Sequence, residues 1–154
     1  MNRFVVLTFF LAIVLGGGLA VGFATRPGAW YAGLAKPAFN PPNRVFAPVW
    51  TLLYVMIAVA GWRIFLRAPA DPAMIAWTIA LVLNFLWSPV FFGAKRPDIA
   101  LGVIVALLAA IIAFIALSWS RDTLAAWLFV PYAAWVGFAT LLNAEIWRLN
   151  GSAA

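Results

Sequence analysis

What this chain lacks is as informative as what it has. It contains no histidine and no cysteine, which excludes disulfides, thiol nucleophiles, zinc centres and the commonest haem ligands. Three of its four acids, Asp71, Asp98 and Asp122, fall between apolar runs. The fourth, Glu145, precedes Arg148 by three residues on one helical face, where an interfacial ion pair accounts for it. No ionisable group stands at the centre of an apolar run, the position that marks proton relays because burial there is costly. The pattern argues against a proton-coupled pump and against an acid/base hydrolase.

Tryptophan is the residue in excess. There are nine: Trp30, Trp50, Trp62, Trp77, Trp87, Trp119, Trp127, Trp135 and Trp147. Amphipathic indoles gather at membrane interfaces, and that explanation suits Trp62, Trp77, Trp119, Trp127 and Trp147, each within about one turn of an expected helix end. Trp50, Trp87 and Trp135 need another. At about 1.5 Å per residue, Trp50 and Trp87 lie about 8 and 9 Å inside their helices, in one leaflet. Trp135 begins a face that continues through Phe138, Ala139 and Leu142 toward the same depth. Trp50, Tyr54 and Ile57 make one stripe; Asn84, Trp87, Ser88 and Phe91 make another. Asn84 must bond inside the bundle, to another helix or to a ligand, because lipid offers no partner. Asn143 poses the same choice. Pro48, Pro89 and Pro131 each remove one helical hydrogen bond, so kinks that open space between helices are expected there, as ordinary irregularity or as pocket walls. Apolar flanks with a few placed polar groups suit a flat apolar ligand, on which aromatic rings can stack.

Membrane-spanning helices must position these side chains. The 154 residues are 67% hydrophobic and 9% charged, with a mean hydropathy of +1.05, far outside the soluble range. Five apolar runs follow, at about 4–25, 45–66, 73–93, 99–119 and 123–147. They predict an all-α integral membrane protein: a single domain, 1–154, folded as a bundle of five transmembrane helices. A signal peptide is the alternative for the first run, although an ordinary apolar signal core is shorter. Short loops imply that sequential helices pack as antiparallel neighbours. The long first loop, 26–43, holds Trp30, Tyr31, Phe39, Pro41 and Pro42, and its prolines make it a stiff candidate lid. A net charge of +6 first suggests nucleic acid. The ten basic residues are instead scattered singly or in pairs between apolar runs, as anchors near lipid headgroups, so no nucleic-acid partner is expected. Six of them fall on the side of the first loop and C-terminus against four on the other, which places that side in the cytoplasm by the positive-inside rule. Gly18 with Gly22, and Ala76 with Ala80, are close-packing pairs for either a dimer face or the bundle interior.

In order and spacing, several segments resemble the TspO/MBR family, the tryptophan-rich sensory proteins related to the mitochondrial translocator protein or peripheral-type benzodiazepine receptor. They are Trp30-Tyr31 with Leu34, then Lys36-Pro37-Ala38-Phe39-Asn40-Pro41-Pro42, then Val45-Phe46, Trp50-Thr51 and Leu53-Tyr54. The series continues with Asn84 to Pro89, Phe91-Phe92-Gly93, Pro131-Tyr132, Trp135, Leu142-Asn143 and Trp147-Arg148. The resemblance implies a five-helix, homodimeric bundle that binds porphyrins such as protoporphyrin IX and haem. A bacterial cell membrane is the expected location, no cofactor is expected to be required, and with no histidine or cysteine no metal site is expected. It also implies that Trp50, Tyr54, Asn84, Trp87, Trp135, Ala139 and Leu142 are pocket positions. Two departures stand out. Phe39 replaces a tryptophan common in the family, and Ala144 replaces the tyrosine of its sterol pattern, which argues against cholesterol binding.

A porphyrin-binding sensor or receptor, regulating tetrapyrrole or oxidative-stress responses, is the leading expectation. Light-dependent porphyrin breakdown is one alternative, with Trp50 and Trp135 as redox partners. Transport of tetrapyrroles or other apolar small molecules is another, opposed by the missing ion-coupling residues and internal repeats.

Overall fold

Local chemistry sets the helix boundaries. In the computed structural model, which describes residues 1–151, the Asn2 side chain accepts the Phe4 N–H at 2.9 Å and starts α1 (Arg3–Ala24). A four-residue helix, α2 (Ala29–Ala32), lies inside what the sequence reads as a loop. Next, α3 (Asn43–Arg67) begins directly after the paired prolines. Asp71 caps α4 (Pro72–Ser88), whose first residue is a proline that needs no amide partner. Pro97 likewise opens α5 (Pro97–Ser118), and Asp122 caps α6 (Thr123–Asn150) through the Ala125 N–H at 3.0 Å.

Of the three prolines expected to disturb helices, Pro89 changes the winding. From Pro89 to Gly93 the chain forms a π turn, closed by the Ala94 N–H reaching back to the Pro89 carbonyl at 2.8 Å. Lys95 then takes a left-handed backbone, φ 55°, and turns the chain into α5. Helices α3 and α6 run on through Pro48 and Pro131.

Five of the helices are long and apolar enough to cross a membrane. They pack in a ring in which α1 lies on α3, α3 on α6, α6 on α5 and α5 on α4, with a lighter contact from α4 to α1. This corrects the expectation that all sequential helices are close neighbours. The short connection at 68–71 brings the ends of α3 and α4 together, but these helices touch only lightly, and α6 is the neighbour of α3. The apolar face of α1, including Phe9, Leu19 and Phe23, is exposed, as are Ile75, Ile79 and Val82 of α4. In a chain of this composition those faces meet lipid.

Two pieces of interior packing decide how close the helices come. Gly18 faces the Tyr54 ring and Gly61 the Trp77 indole, each so closely that a Cβ would collide with the ring. Trp77 is therefore not an interfacial residue as its place in the sequence suggests. It is 6% exposed, and its indole N–H donates to the Ile57 carbonyl at 2.9 Å. The glycine on the neighbouring helix gives its ring room inside. Trp119, Trp127 and Trp147 are exposed, as the belt explanation requires. Gly18, Ala76 and Ala80 are buried within the bundle, whereas Gly22 is exposed.

At the end of the bundle holding the N-terminus, Asp122 accepts from Arg63 Nε at 3.0 and 3.1 Å and from Arg67 Nε at 2.9 Å. Arg121 pairs with Asp71 at 2.6 Å. Burial pushes the Asp122 carboxyl upward, but hydrogen bonds from Arg63, the Ala125 amide and Arg67 outweigh it and hold the group below the usual carboxylate range.

Gly18→Ala is expected to lower stability by about 1–3 kcal/mol, since its methyl must displace the Tyr54 ring. Gly22→Ala, with open space around it, should be neutral or gain up to about 1 kcal/mol from helix propensity. Thermal unfolding of the purified variants in detergent measures both.

Candidate ligand site

Helices α3 and α6 carry one continuous set of rings. The Trp50 and Trp135 centroids are 6.4 Å apart with planes at 89°, and Trp50 lies 5.5 Å from Tyr54 and 6.5 Å from Tyr132. Trp135 continues the series to Phe46 at 5.9 Å and to Phe138 at 5.7 Å. The Trp50–Trp135, Trp50–Tyr132 and Phe46–Trp135 contacts are edge-to-face, favourable beyond the area they bury because a ring's positive rim meets its neighbour's negative face, while Trp50–Tyr54 and Trp135–Phe138 are tilted pairs. Phe39 of the first loop, 49% exposed, adds its ring to Phe138 at 6.0 Å.

Trp87 belongs to a second set. Its ring stacks on Phe91 at 5.0 Å and meets Phe92 edge-on at 5.8 Å. Trp30 and Tyr31 of α2 close on the same phenylalanines, Trp30 on Phe91 at 5.9 Å and Tyr31 on Phe92 at 5.3 Å. The π turn is what brings Phe91 and Phe92 together here, since it widens the helix as α4 ends. Equal depth along separate helices thus does not place all three inner tryptophans in one wall. Trp50 and Trp135 meet directly, while Trp87 stands in the neighbouring cluster.

Two polar clasps tie these clusters to the bundle. Asn84 accepts from the Tyr54 hydroxyl at 3.1 Å and donates to the Tyr132 hydroxyl at 2.6 Å, joining α3, α4 and α6 at one point. Asn143 accepts the Trp87 indole N–H at 3.0 Å and donates to the Pro97 carbonyl at 2.8 Å. Both amides are buried, at 6% and 1% exposure, and both bond other helices. On α6, Ala139 is half-buried and Leu142 buried among these rings.

The first loop is fastened as well as stiff. Lys36 Nζ donates to the Tyr31 carbonyl at 2.7 Å and sits over the Tyr31 ring at 4.4 Å. The Asn150 amide pairs with both backbone groups of Ala35, at 2.9 and 2.8 Å. An open cleft of about 540 Å³ lies within the loop, walled by Tyr31, Lys36, Asn40, Pro41 and Pro42. Beneath the loop, the Thr25 and Ser88 hydroxyls are 2.6 Å apart and join α1's end to α4.

Two indole donors remain over. The N–H groups of Trp30 and Trp135 are buried and have no acceptor among the described residues. A buried donor left unpaired is costly, so each is a group that a ligand atom can satisfy. Of the side chains that build this site, sequence reasoning did not assign roles to Tyr132, Phe46 and Asn150. Tyr132 was accessible to it, lying one turn before Trp135 on the same stripe; Asn150 was not, because its partner is backbone 115 residues away.

A ring of five spans around aromatic clusters and buried amides defines a small integral membrane protein with a tryptophan-rich interior. Residues 9–148 match the TspO/MBR family, and the chain belongs to that family. It is 36% identical over 146 residues to protein CrtK of Rhodobacter capsulatus, covering 92% of this chain and 90% of that one. Identity to the tryptophan-rich sensory protein of Cereibacter sphaeroides is 39% over 144 residues, with 94% and 90% covered. For the human translocator protein it is 37% over 149 residues, with 92% and 88% covered.

If Asn84 is chiefly a clasp, Asn84→Ala and Tyr132→Phe should not be additive. The hydrogen bond between them is expected to contribute about 0.6–1.7 kcal/mol, the range for such bonds between membrane helices. A double-mutant cycle on unfolding in detergent reads the coupling directly.

Proposed function

We propose that this protein is a membrane receptor or sensor for a flat apolar ligand of the porphyrin class, held against the Trp50–Trp135 rings beneath the first loop. The observation that carries the reading is the Trp135 indole, which presents a buried N–H without an acceptor in ring contact with Trp50 and Phe138. A tetrapyrrole offers what that position lacks: an extended π face for stacking, and ring nitrogens or propionate oxygens for the donor. Family membership and the names of the relatives, tryptophan-rich sensory protein and translocator protein, support a receptor role. Without histidine or cysteine in the chain, metal ligation adds little, and free porphyrin should bind about as well as haem. We further propose that the protein works as a homodimer in a bacterial cell membrane, with the first loop and C-terminus toward the cytoplasm, where the larger share of its basic residues then lies.

Titration of the purified protein with protoporphyrin IX should quench tryptophan fluorescence saturably. Trp135→Phe retains a ring and loses the donor, so it should weaken binding about three- to tenfold, the value of one hydrogen bond. Absence of saturable quenching in the unmodified protein overturns the reading.

A further inference from the structure

The opposite end of the bundle holds a second built feature. There α1, α3 and α6 meet around an open cleft of about 250 Å³ lined by Arg3, Trp62, Arg63, Leu66, Arg67 and Asp122. The Trp62 indole donates to the Arg3 carbonyl at 2.9 Å, which holds the start of α1 against the end of α3. Two guanidinium groups, Arg63 and Arg67, therefore share one carboxylate, and Arg3, whose guanidinium lies over the Phe4 ring at 5.0 Å, adds a third positive charge at the cleft's rim, leaving an excess of positive charge. The nearby Asp71 does not relieve it, being paired with Arg121 at 2.6 Å.

The way Asp122 is used matters more than its charge. It takes the Nε of both Arg63 and Arg67, and this fixes the two side chains. Among the described residues, the terminal nitrogens of both arginines have no hydrogen-bond acceptor, and Arg3 forms no ion pair. Planar guanidinium ends with free N–H pairs match phosphate oxygens bidentately. Arg63 and Arg67 are one helical turn apart on the last turns of a membrane-spanning helix, the depth at which lipid phosphates lie. Trp62 and Leu66 line the same cleft and offer apolar surface to the glycerol and upper acyl region.

We propose that this cleft binds the phosphate of an anionic membrane phospholipid. A zwitterionic lipid brings the same phosphate together with a cation that the surplus positive charge repels, so the site discriminates by headgroup charge. Asp122 serves as the positioning residue, orienting two arginines that would otherwise extend into solvent.

The test uses the full chain purified in detergent and incubated with phosphatidylglycerol or phosphatidylcholine of matched acyl chains. Retained lipid is counted by native mass spectrometry. Phosphatidylglycerol should be retained preferentially, and Arg3→Gln or Arg67→Gln should each reduce its retention about fivefold, the effect of one basic residue on attraction to anionic lipid. Arg148→Gln, at the other end of the bundle, should leave retention unchanged. Arg3→Gln leaves the Asp122 ion pairs intact, so it reads binding even if Arg67→Gln fails to fold. Equal retention of the two lipids, or of phosphatidylglycerol by wild type and Arg3→Gln, overturns the proposal. Displacement of the lipid by excess inorganic phosphate also overturns it, because the site would then take the bare anion.

Discussion

Hydrocarbon neither donates nor accepts hydrogen bonds, so every polar side chain inside this bundle must find its partner in the protein. That constraint organises the interior. Asn84 is shared by Tyr54 and Tyr132, Asn143 joins Trp87 to the start of α5, and Trp77 reaches the Ile57 carbonyl. Each bond crosses between helices and fixes their rotation about their axes, which determines the rings that face inward. Glycine sets the distances: where α1 passes Tyr54 and α3 passes Trp77, a hydrogen replaces a side chain and an aromatic ring takes its place. Against these paired groups, the indoles of Trp30 and Trp135, like the Ser118 hydroxyl and the Asn40 side-chain oxygen, are buried without a partner among the described residues, and the two indoles are the donors that lie in the aromatic clusters.

The two ends of the bundle are built differently. At one, a proline-stiffened loop is held by Lys36 and by the last turn of α6, and its aromatic residues rest on both ring clusters. Phe39 touches the α3–α6 set through Phe138, while Trp30 and Tyr31 touch the set around the π turn. A movement of this loop would change the surroundings of both clusters together, a suitable coupling for a protein that senses a ligand. At the other end, charge takes the place of aromatic cover, and Asp122 holds the α3 arginines against the start of α6.

Much of this was legible in the sequence because membrane solvation leaves a plain mark. Five apolar runs gave five spans, with ends within about three residues of those observed except where the π turn divides the third. Trp50, Tyr54 and Trp135 share a cluster, as depth and helical spacing suggested. Failures occurred where a residue's role depends on a neighbour that spacing cannot reveal. Trp77 lies near a helix end but is buried, because Gly61 admits its ring. Trp87 has the expected depth, yet the direction it faces is set by Asn143 and by the π turn. Asn84 carried two equally good readings in sequence, and its pair of tyrosine partners shows how fully the bundle itself occupies it.

The central claim is that ligand meets the inner rings of Trp50 and Trp135 and not the tryptophans of the lipid interface. Nine indole N–H signals, resolved by NMR on protein with nitrogen-labelled tryptophan and assigned by single Trp→Phe substitutions, would read this residue by residue. On addition of protoporphyrin IX, the Trp50 and Trp135 signals should shift or broaden first, with Trp119 and Trp127 unchanged. Perturbation confined to Trp119, Trp127 and Trp147, or spread evenly over all nine, would contradict the account.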